Sequence, residues 1–189
     1  MICRICDSND LTPVLDLGDQ PWANNFLKQE QCGKEPAYPL RLEFCSNCSC
    51  VQLDYTVPKE VMFSDHTYVS GTTKTLANHF LETAKYVDSL FTKERKQKAI
   101  LDIGSNDGTQ LKQYQSLGFD VLGVESCRKI GEMAIASGVP TEIDFFNEES
   151  VNRIGRKFDI INASGVFFHL EELHSATKGV KAGLAEDGV

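Results

Sequence analysis

The chain has 189 residues, of which 24% are charged, and its formal net charge is −8. This acidic balance disfavours a nucleic-acid binder, which usually presents a basic face, and no apolar run approaches the ~20 residues of a membrane span. The N-terminal stretch MICRICDSND lacks the apolar core of a signal peptide, so a cytoplasmic location is expected.

The first predicted segment, residues 1–55, is crowded with cysteine: six of the seven cysteines lie at or before Cys50. In a reducing compartment this crowding favours metal ligation over disulfide bonds. Zinc takes four thiolates in a tetrahedron, and two C-x-x-C pairs supply them. We predict one structural zinc per chain in a zinc-binding domain, held by Cys3, Cys6, Cys45 and Cys48. Cys32 and Cys50 are competing candidates, and unpaired or disulfide-bonded cysteines are the alternative.

A connector is predicted over residues 56–97. It begins with a polar loop, SDHTYVSGTT, and continues as a helix whose apolar residues recur every three or four positions. Those residues are Leu76, Phe80, Ala84, Val87 and Phe91. Thr72 or Thr73 is the predicted N-cap, because a threonine oxygen there can accept a free backbone N–H. The charged run TKERKQK is predicted to be a solvated turn.

Residues 98–189 alternate between strand and helix patterns. The predicted strands are AILDIG, DVLGVE, TEIDFF and FDIINASGV. The predicted helices are TQLKQYQSLG, CRKIGEMAIASG, NEESVNRIGR and EELHSATKGVKAGLAEDG. This alternation predicts an α/β domain with a doubly wound, Rossmann-like parallel sheet. A fifth strand is expected to begin where the chain stops, at Val189. The domain is therefore interpreted as incomplete after its fourth strand and helix, in the N-terminal portion of a longer protein.

The turn after the first of these strands, in LDIGSNDGTQL, has the spacing Gly104-x-x-x-Gly108. A dinucleotide site would show G-x-G-x-x-G, so an oxidoreductase is disfavoured. Carboxylates at Asp102 and Asp107 would repel a pyrophosphate and attract a cationic amino-acid group. Glu125 ends the second strand, where an acid can accept hydrogen bonds from ribose hydroxyls. The pattern favours S-adenosylmethionine as the ligand; the alternative is a βα turn that binds nothing.

Several separated motifs, in this order, resemble those of the zinc-containing sugar C-methyltransferases: CRIC, VLDLGDQPWANNFL, PLRLEFCSNC, VQLDYTVPKEVMF, YVSGTTKTLANHF and LDIGSNDGTQL. The resemblance implies a zinc-binding domain joined to a class I, S-adenosylmethionine-dependent methyltransferase domain. It also implies a nucleotide-activated keto-deoxysugar as the small-molecule substrate. A base would remove the proton alpha to the ketone, and the enolate carbon would attack the sulfonium methyl group.

The resemblance also implies roles for individual residues. It assigns the four paired cysteines to zinc. The residues implied to line the cofactor site are Gly104, Asn106, Asp107, Gly108 and Glu125, with Phe146 and Asn147 near the adenine and Ala163 and Ser164 near the methionine part. Asp102, which precedes the turn, is predicted from its position to belong to the same site. Tyr68 and His169 are implied as catalytic, substrate-side residues. A loop anchor is the alternative for Tyr68, and a core or helix-start histidine is the alternative for His169.

Two departures from the family pattern bear on function. The end of the fourth strand reads ASG where relatives have NN or AN. The family's Tyr-Glu-His acid/base cluster is expected beyond Val189, so this chain alone is not expected to be a competent enzyme. A methyltransferase acting on oxygen or nitrogen, and a non-catalytic zinc- and nucleotide-binding module, are the alternatives. No nucleic-acid or membrane partner is expected.

Overall fold

A computed structural model describes residues 1–23, 26–91 and 98–189. The chain divides into two compact units, Met1–Met62 and Phe63–Val189. Most of the predicted charged turn, residues 92–97, lies outside the described residues. Within the described ranges, no helix combines the length and the apolar character needed to cross a bilayer.

The first unit is built on an antiparallel sheet in the order β1-β2-β3. Its strands are β1 (Leu11–Pro21), β2 (Ala37–Cys45) and β3 (Val51–Leu53), and a short helix, α1 (Lys59–Phe63), follows. Arg41 on β2 forms ion pairs with Asp16, Asp19 and Asp54 at 3.4, 3.7 and 3.2 Å. These pairs join the guanidinium to acids on both sides of β2. The pairs with Asp16 and Asp19 are exposed and therefore contribute little to stability, whereas the Asp54 side chain is 13% exposed.

Apolar burial is scarce in this first unit. Among its described residues, the buried side chains are Cys3, Cys45 and Gln52. The Gln52 amide accepts the backbone N–H of Arg4 at 2.8 Å and donates to the carbonyl of Ile2 at 3.2 Å. Two of the three buried side chains are therefore thiols, and the third holds the segment that carries Cys3. The interior of this unit is a cysteine cluster and not an apolar core.

The second unit contains a parallel sheet in the order β6-β5-β4-β7. Its strands are β4 (Ala99–Ile103), β5 (Asp120–Glu125), β6 (Thr141–Ile143) and β7 (Ile160–Asn162). Its helices are α2 (Lys74–Ser89), α3 (Thr109–Ser116), α4 (Arg128–Ala136), α5 (Glu148–Ile154) and α6 (Leu173–Gly183). The predicted doubly wound α/β fold is confirmed. Strand order reverses between β4 and β7, so the carboxyl ends of these strands border the crevice where such folds bind ligands.

Both faces of the sheet are covered by helices. One face packs Ile100 and Val121 against residues of α2, α3 and α4, and the other packs Leu101 and Val124 against α5 and α6. Successive strand residues thus point to opposite faces, as the two-residue period of a strand requires. Helix α2 begins as predicted, with the Thr73 hydroxyl accepting the N–H of Leu76, so Thr73 and not Thr72 is the N-cap.

Most strands and helices of this unit are a few residues shorter than predicted, and three of them illustrate why. Strand β6 ends at Ile143: the N–H of Asp144 makes the last bond of the parallel ladder, to the Glu125 carbonyl, and the N–H of Phe145 donates to the Asp144 carboxylate instead. Strand β7 covers 160–162, since Gly165 turns the chain with a φ of 74°. Helix α6 spans Leu173–Gly183 instead of 171–188. Each shortening follows from a local turn that the hydrophobic pattern did not reveal.

Beside β7, Val189 donates its N–H to the carbonyl of Asp159 and accepts the N–H of Ile161, each at 2.9 Å. This is the bonding of a residue in a parallel strand. Val189 thus lies beside β7 at the place in the sheet where a fifth strand was expected to begin.

Candidate functional site

The four paired cysteines converge in the first unit. Their sulfur atoms all lie within 4.8 Å of one another. Cys3 Sγ is 3.6 Å from Cys48 Sγ, and Cys6 Sγ is 3.7 Å from Cys45 Sγ. A tetrahedron with Zn–S bonds of about 2.3 Å has sulfur–sulfur edges of about 3.8 Å. The observed separations therefore fit a four-thiolate metal site, with each C-x-x-C pair contributing two ligands.

The two C-x-x-C turns have the same shape. In each, the first cysteine carbonyl accepts the N–H of the residue after the second cysteine: Asp7 donates to Cys3 at 2.9 Å, and Ser49 donates to Cys45 at 2.8 Å. Both donors have positive φ, 58° and 61°. Each first cysteine also donates its own N–H to a carbonyl five residues on, Ser8 in one turn and Cys50 in the other. Cys50 is thus the counterpart of Ser8, which explains why its sulfur lies outside the four-thiolate cluster.

Hydrogen bonds favour the metal-binding thiolate form of two of the four cysteines, Cys3 and Cys6. The backbone N–H groups of Cys6 and Ile5 lower the pKa of Cys3 to about 6. The side-chain amide of Asn47, 3.3 Å from Cys6 Sγ, lowers the pKa of that thiol. Cys32 is exposed and lies outside the cluster.

In the second unit, the turn after β4 depends on backbone conformations that glycine tolerates. Gly104 and Gly108 have φ values of 66° and 75°. A Cβ on Gly108 would lie 2.8 Å from a methyl group of Val139, and one on Gly104 would lie 2.9 Å from a methyl group of Val166. Both glycines therefore permit close packing inside the protein. Their predicted contact with a cofactor stays a prediction.

Glu125 lies at the carboxyl end of β5 beside this turn. Its carboxylate accepts the N–H of Asn106 at 2.9 Å and the N–H of Cys127 at 2.8 Å. The imidazole Nε2 of His66 lies 3.6 Å from the same carboxylate. Glu125 is only 3% exposed. The oxygens of this acid are thus contacted by the protein itself, and its predicted contact with a ribose stays a prediction.

The side chains of Asn106 and Asp107 bond to a segment that precedes α2. Asn106 accepts the N–H of Ser70 at 2.8 Å and donates to the carbonyl of Tyr68 at 3.0 Å. Asp107 accepts the N–H of Gly71 at 3.0 Å with one carboxylate oxygen, while the other accepts an N–H from the first turn of α3. Both residues, predicted to line the cofactor site, are therefore engaged by the chain.

A second polar group joins β4 to β7. Asp102, 3% exposed, accepts a hydrogen bond from the side-chain amide of Asn162 at 2.6 Å, and the same amide donates to the Ser164 hydroxyl at 3.1 Å. Burial raises the pKa of Asp102 to about 7, with a smaller contribution from the negative charge of Glu125, while the Asn162 amide acts in the opposite direction. Ser164 and Asp102 thus share one donor, while their predicted assignment to the cofactor site stays a prediction.

The raised pKa of Asp102 predicts a specific pH dependence of stability. Between its ordinary value of 3.8 and about 7, the native state keeps a proton that the unfolded chain has released. Stability is therefore expected to fall as pH rises through this window, by up to about 1.4 kcal/mol per pH unit, and to level off above it. Asp102→Asn should remove this slope. Urea unfolding between pH 4 and 8, followed by helical circular dichroism, measures it; equal slopes in the two proteins would contradict it.

The other predicted site residues occupy varied environments. Phe146 is buried in the core on the α5 and α6 side of the sheet, so its side chain is held by packing. Asn147 is the N-cap of α5, in a capping box with Ser150. Ala163 packs at the margin of the same core as Phe146. The predicted proximity of these residues to the adenine and methionine parts of the donor stays a prediction.

The two substrate-side candidates are exposed. Tyr68 is 61% exposed, and its backbone carbonyl, not its ring, is the group bonded to Asn106. His169 lies in a short 3-10 turn, Phe167–His169, with its ring centroid 5.9 Å from that of Phe63. Partial burial lowers the pKa of His169, which favours a neutral imidazole able to accept a proton.

Three contributing residues were missed from the sequence. Asn47 bonds to a cluster sulfur, His66 faces Glu125, and Asn162 joins Asp102 to Ser164. Asn47 lies inside the second C-x-x-C pair, and Asn162 lies at the end of the predicted fourth strand, so their positions were available as signals. His66 stood in a polar loop with no periodic pattern to mark it.

This chain is similar to several known proteins. A family model described as "Putative zinc binding domain" matches residues 3–63, which include all four cluster cysteines. The C-methyltransferase NovU of Streptomyces niveus is 28% identical over 193 residues, covering 99% of this chain and 45% of that protein. Over nearly its whole length this chain is therefore similar to a C-methyltransferase, and its first part matches a zinc-binding domain.

Other similarities cover smaller parts of this chain. A tRNA U34 carboxymethyltransferase of Campylobacter jejuni is 30% identical over 105 residues, 52% of this chain and 36% of that protein. The solved structure of the plantazolicin methyltransferase BpumL in complex with SAH covers 59% of this chain and 45% of that chain, with 18% identity and a TM-score of 0.47. The chain spans less than half the length of each of these proteins.

Proposed function

We propose that this chain is the zinc-binding and donor-binding part of an S-adenosylmethionine-dependent C-methyltransferase. Its acceptor would be a carbon alpha to the ketone of a nucleotide-activated deoxysugar. The observation that carries the proposal is the position of Glu125, a carboxylate that ends the strand next to the glycine turn and bonds to that turn's backbone.

The charges around the crevice favour a donor without phosphate. Asp107 and Glu125 bring two carboxylates to the turn after β4 and the neighbouring strand end, and Asp102, with a pKa raised by burial to about 7, adds only part of a charge near neutral pH. A pyrophosphate would be repelled there, whereas the ammonium of a methionine moiety would be attracted. Glu125 would accept hydrogen bonds from the ribose hydroxyls, and Asn162 and Ser164 would lie near the methionine end.

The cysteine cluster would hold one zinc ion on Cys3, Cys6, Cys45 and Cys48. Four thiolates complete the tetrahedral coordination of zinc and leave no position for water, so such a site is structural. The ion would supply folding free energy to a unit that buries few apolar side chains. No chemical step involves it.

Reaction at carbon requires a proton acceptor near the substrate. The Tyr68 hydroxyl and the His169 imidazole are exposed and could contact a sugar substrate. A neutral His169 can accept a proton or a hydrogen bond from it. Orienting the acceptor carbon in line with the donor methyl group would provide much of the rate.

A transfer to oxygen or nitrogen is the second candidate, since the tRNA-modifying relative named above shares 105 aligned residues with this chain. The net charge of −8 disfavours a tRNA acceptor for this chain.

Calorimetric titration of the chain with S-adenosylhomocysteine, the demethylated donor, tests the first step. We expect one site per chain for this ligand and no binding of NAD or ATP under the same conditions; NAD in its place would overturn the proposal. Incubation of the full natural polypeptide with labelled S-adenosylmethionine and a nucleotide keto-deoxysugar tests the second step. A carbon-bound methyl signal in the product's NMR spectrum is expected, and an oxygen- or nitrogen-bound methyl group would select the other candidate.

A further inference from the structure

Residues 63–72, here called the strap, lie along the turn and strand end that the proposed donor would use. At one end, the carbonyl of Phe63 accepts the Ser126 hydroxyl at 3.3 Å. In the middle, the His66 carbonyl lies 3.9 Å from the Cys127 sulfur. Contacts from the other end reach Asn106 and Asp107. The strap is therefore fixed at the ends of both β4 and β5.

We infer that Asn106 and Asp107 are positioning residues that fasten the strap, and that the fastened strap excludes the donor from Glu125. This rests on the proposed function, because it concerns the same carboxylate. It reverses the role predicted for Asn106 and Asp107: their side chains act on the protein and not on the ligand.

The bonding of Asn106 supports the first half of this inference. Its side-chain amide donates to one strap backbone group and accepts from another, at 3.0 and 2.8 Å. Its own N–H bonds to Glu125, and its φ is 52°. An asparagine tolerates this left-handed conformation better than most residues. The residue thus links the strap to the ribose-binding acid while leaving little capacity for a ligand.

The approach of Gly71 supports the same fastening. Its N–H bonds to the Asp107 carboxylate at 3.0 Å. A Cβ at this position would meet Asp107 Oδ2 at 2.5 Å and the Thr109 hydroxyl at 2.7 Å. The strap can therefore lie this close to the start of α3 only with a glycine at 71.

The position of His66 supports the second half. Its Nε2 is 3.6 Å from a Glu125 oxygen, and the carboxylate beneath is 97% covered. A ribose hydroxyl needs to come within about 2.8 Å of that oxygen to bond to it. The imidazole and the ribose would therefore compete for one place. The donor would bind only to chains in which the strap is loosened. Its apparent affinity would therefore be lower than its intrinsic affinity, in proportion to the fraction of chains that are in the loosened state.

Two variants loosen the strap without removing Glu125. Asn106→Gly deletes both side-chain bonds and retains the backbone conformation, while Gly71→Ala separates the strap from Asp107. We expect faster amide hydrogen exchange over residues 66–72 in both, and a severalfold tighter affinity for S-adenosylhomocysteine by calorimetry. Asn152→Gly, on the exposed side of α5, is the matched control for general destabilisation and should change neither quantity.

The competing outcomes are distinct. If wild type binds S-adenosylhomocysteine and Asn106→Gly weakens that binding, Asn106 is a donor ligand and the inference is wrong while the proposed function stands. If exchange over 66–72 does not change, the fastening is wrong. A wild-type chain that binds no S-adenosylhomocysteine overturns the proposed function and, with it, the competition at Glu125.

Discussion

Replacing Cys45 by serine is expected to release the metal and unfold residues 1–62. Cys45 is fully buried, and its sulfur is 3.7 Å from that of Cys6. A serine oxygen is a poor replacement for a thiolate ligand, and zinc binding contributes about 10–16 kcal/mol in small zinc domains. Because the described buried side chains of this unit are two thiols and one amide, no apolar core remains to hold the fold.

Metal analysis of the purified protein should give one zinc per wild-type chain and none for Cys45→Ser. Trp22, the single tryptophan, lies in the first unit, so its fluorescence reports on that unit, whereas most of the helical circular dichroism comes from the second. We expect the first signal to change and the second to persist. Cys50→Ser is the matched control, a nearby thiol outside the cluster. A Cys45→Ser protein with full zinc content and wild-type protease resistance would refute the assignment.

Glu125→Ala is expected to lower both the free energy of unfolding of the second unit and its affinity for the donor. The change leaves the backbone N–H groups of Asn106 and Cys127 without their acceptor, and hydrogen bonds to a buried charge contribute about 1.5–3 kcal/mol each. We expect a loss of about 3–6 kcal/mol in the free energy of unfolding. Loss of the ribose contacts should weaken S-adenosylhomocysteine binding by about 1–3 kcal/mol. The same change also removes the partner of His66, which by itself should favour donor binding. A net loss of affinity for S-adenosylhomocysteine would therefore show that the lost ribose contact is the larger of the two effects.

The controls separate folding from binding. Glu125→Gln keeps the volume and one carbonyl acceptor, so we expect a smaller loss of stability. Glu142→Gln changes an exposed acid in the neighbouring strand β6 and should leave both quantities unchanged. Titrations are made at a temperature where circular dichroism shows every variant folded. Equal donor affinity in wild type and Glu125→Ala would be incompatible with a ribose-binding role.

The sequence was most informative where one chemical pattern determines one structure. Two C-x-x-C pairs specified the four thiols correctly, because the spacing itself forms the turn that directs both sulfurs to one point. The alternation of apolar strands with amphipathic helices correctly predicted a parallel sheet with helices on both faces. The short β6 and β7 were overestimated, since apolar residues such as Phe146 are buried without being in a strand.

The site was harder to predict because its contacts join residues far apart in the chain. Asp102 and Glu125 were recognised from their positions at strand ends, but their partners Asn162 and His66 follow no local spacing. Asn106 and Asp107 were interpreted as ligand-binding because the loop matched a family motif. Their bonds to Tyr68, Ser70 and Gly71 depend on how the connector folds back, which the periodicity of α2 does not reveal.

The matched turns around the cysteines have a consequence for how this protein can vary. An ion bound by both turns would connect the first eight residues to the end of β2, and this connection would not depend on the length of the chain between them. The tip of the β1–β2 hairpin would then be free to gain or lose residues at a small entropic cost, because the cost of closing a loop rises only slowly with its length. Length variation among homologues should therefore concentrate between β1 and β2 and spare the two turns.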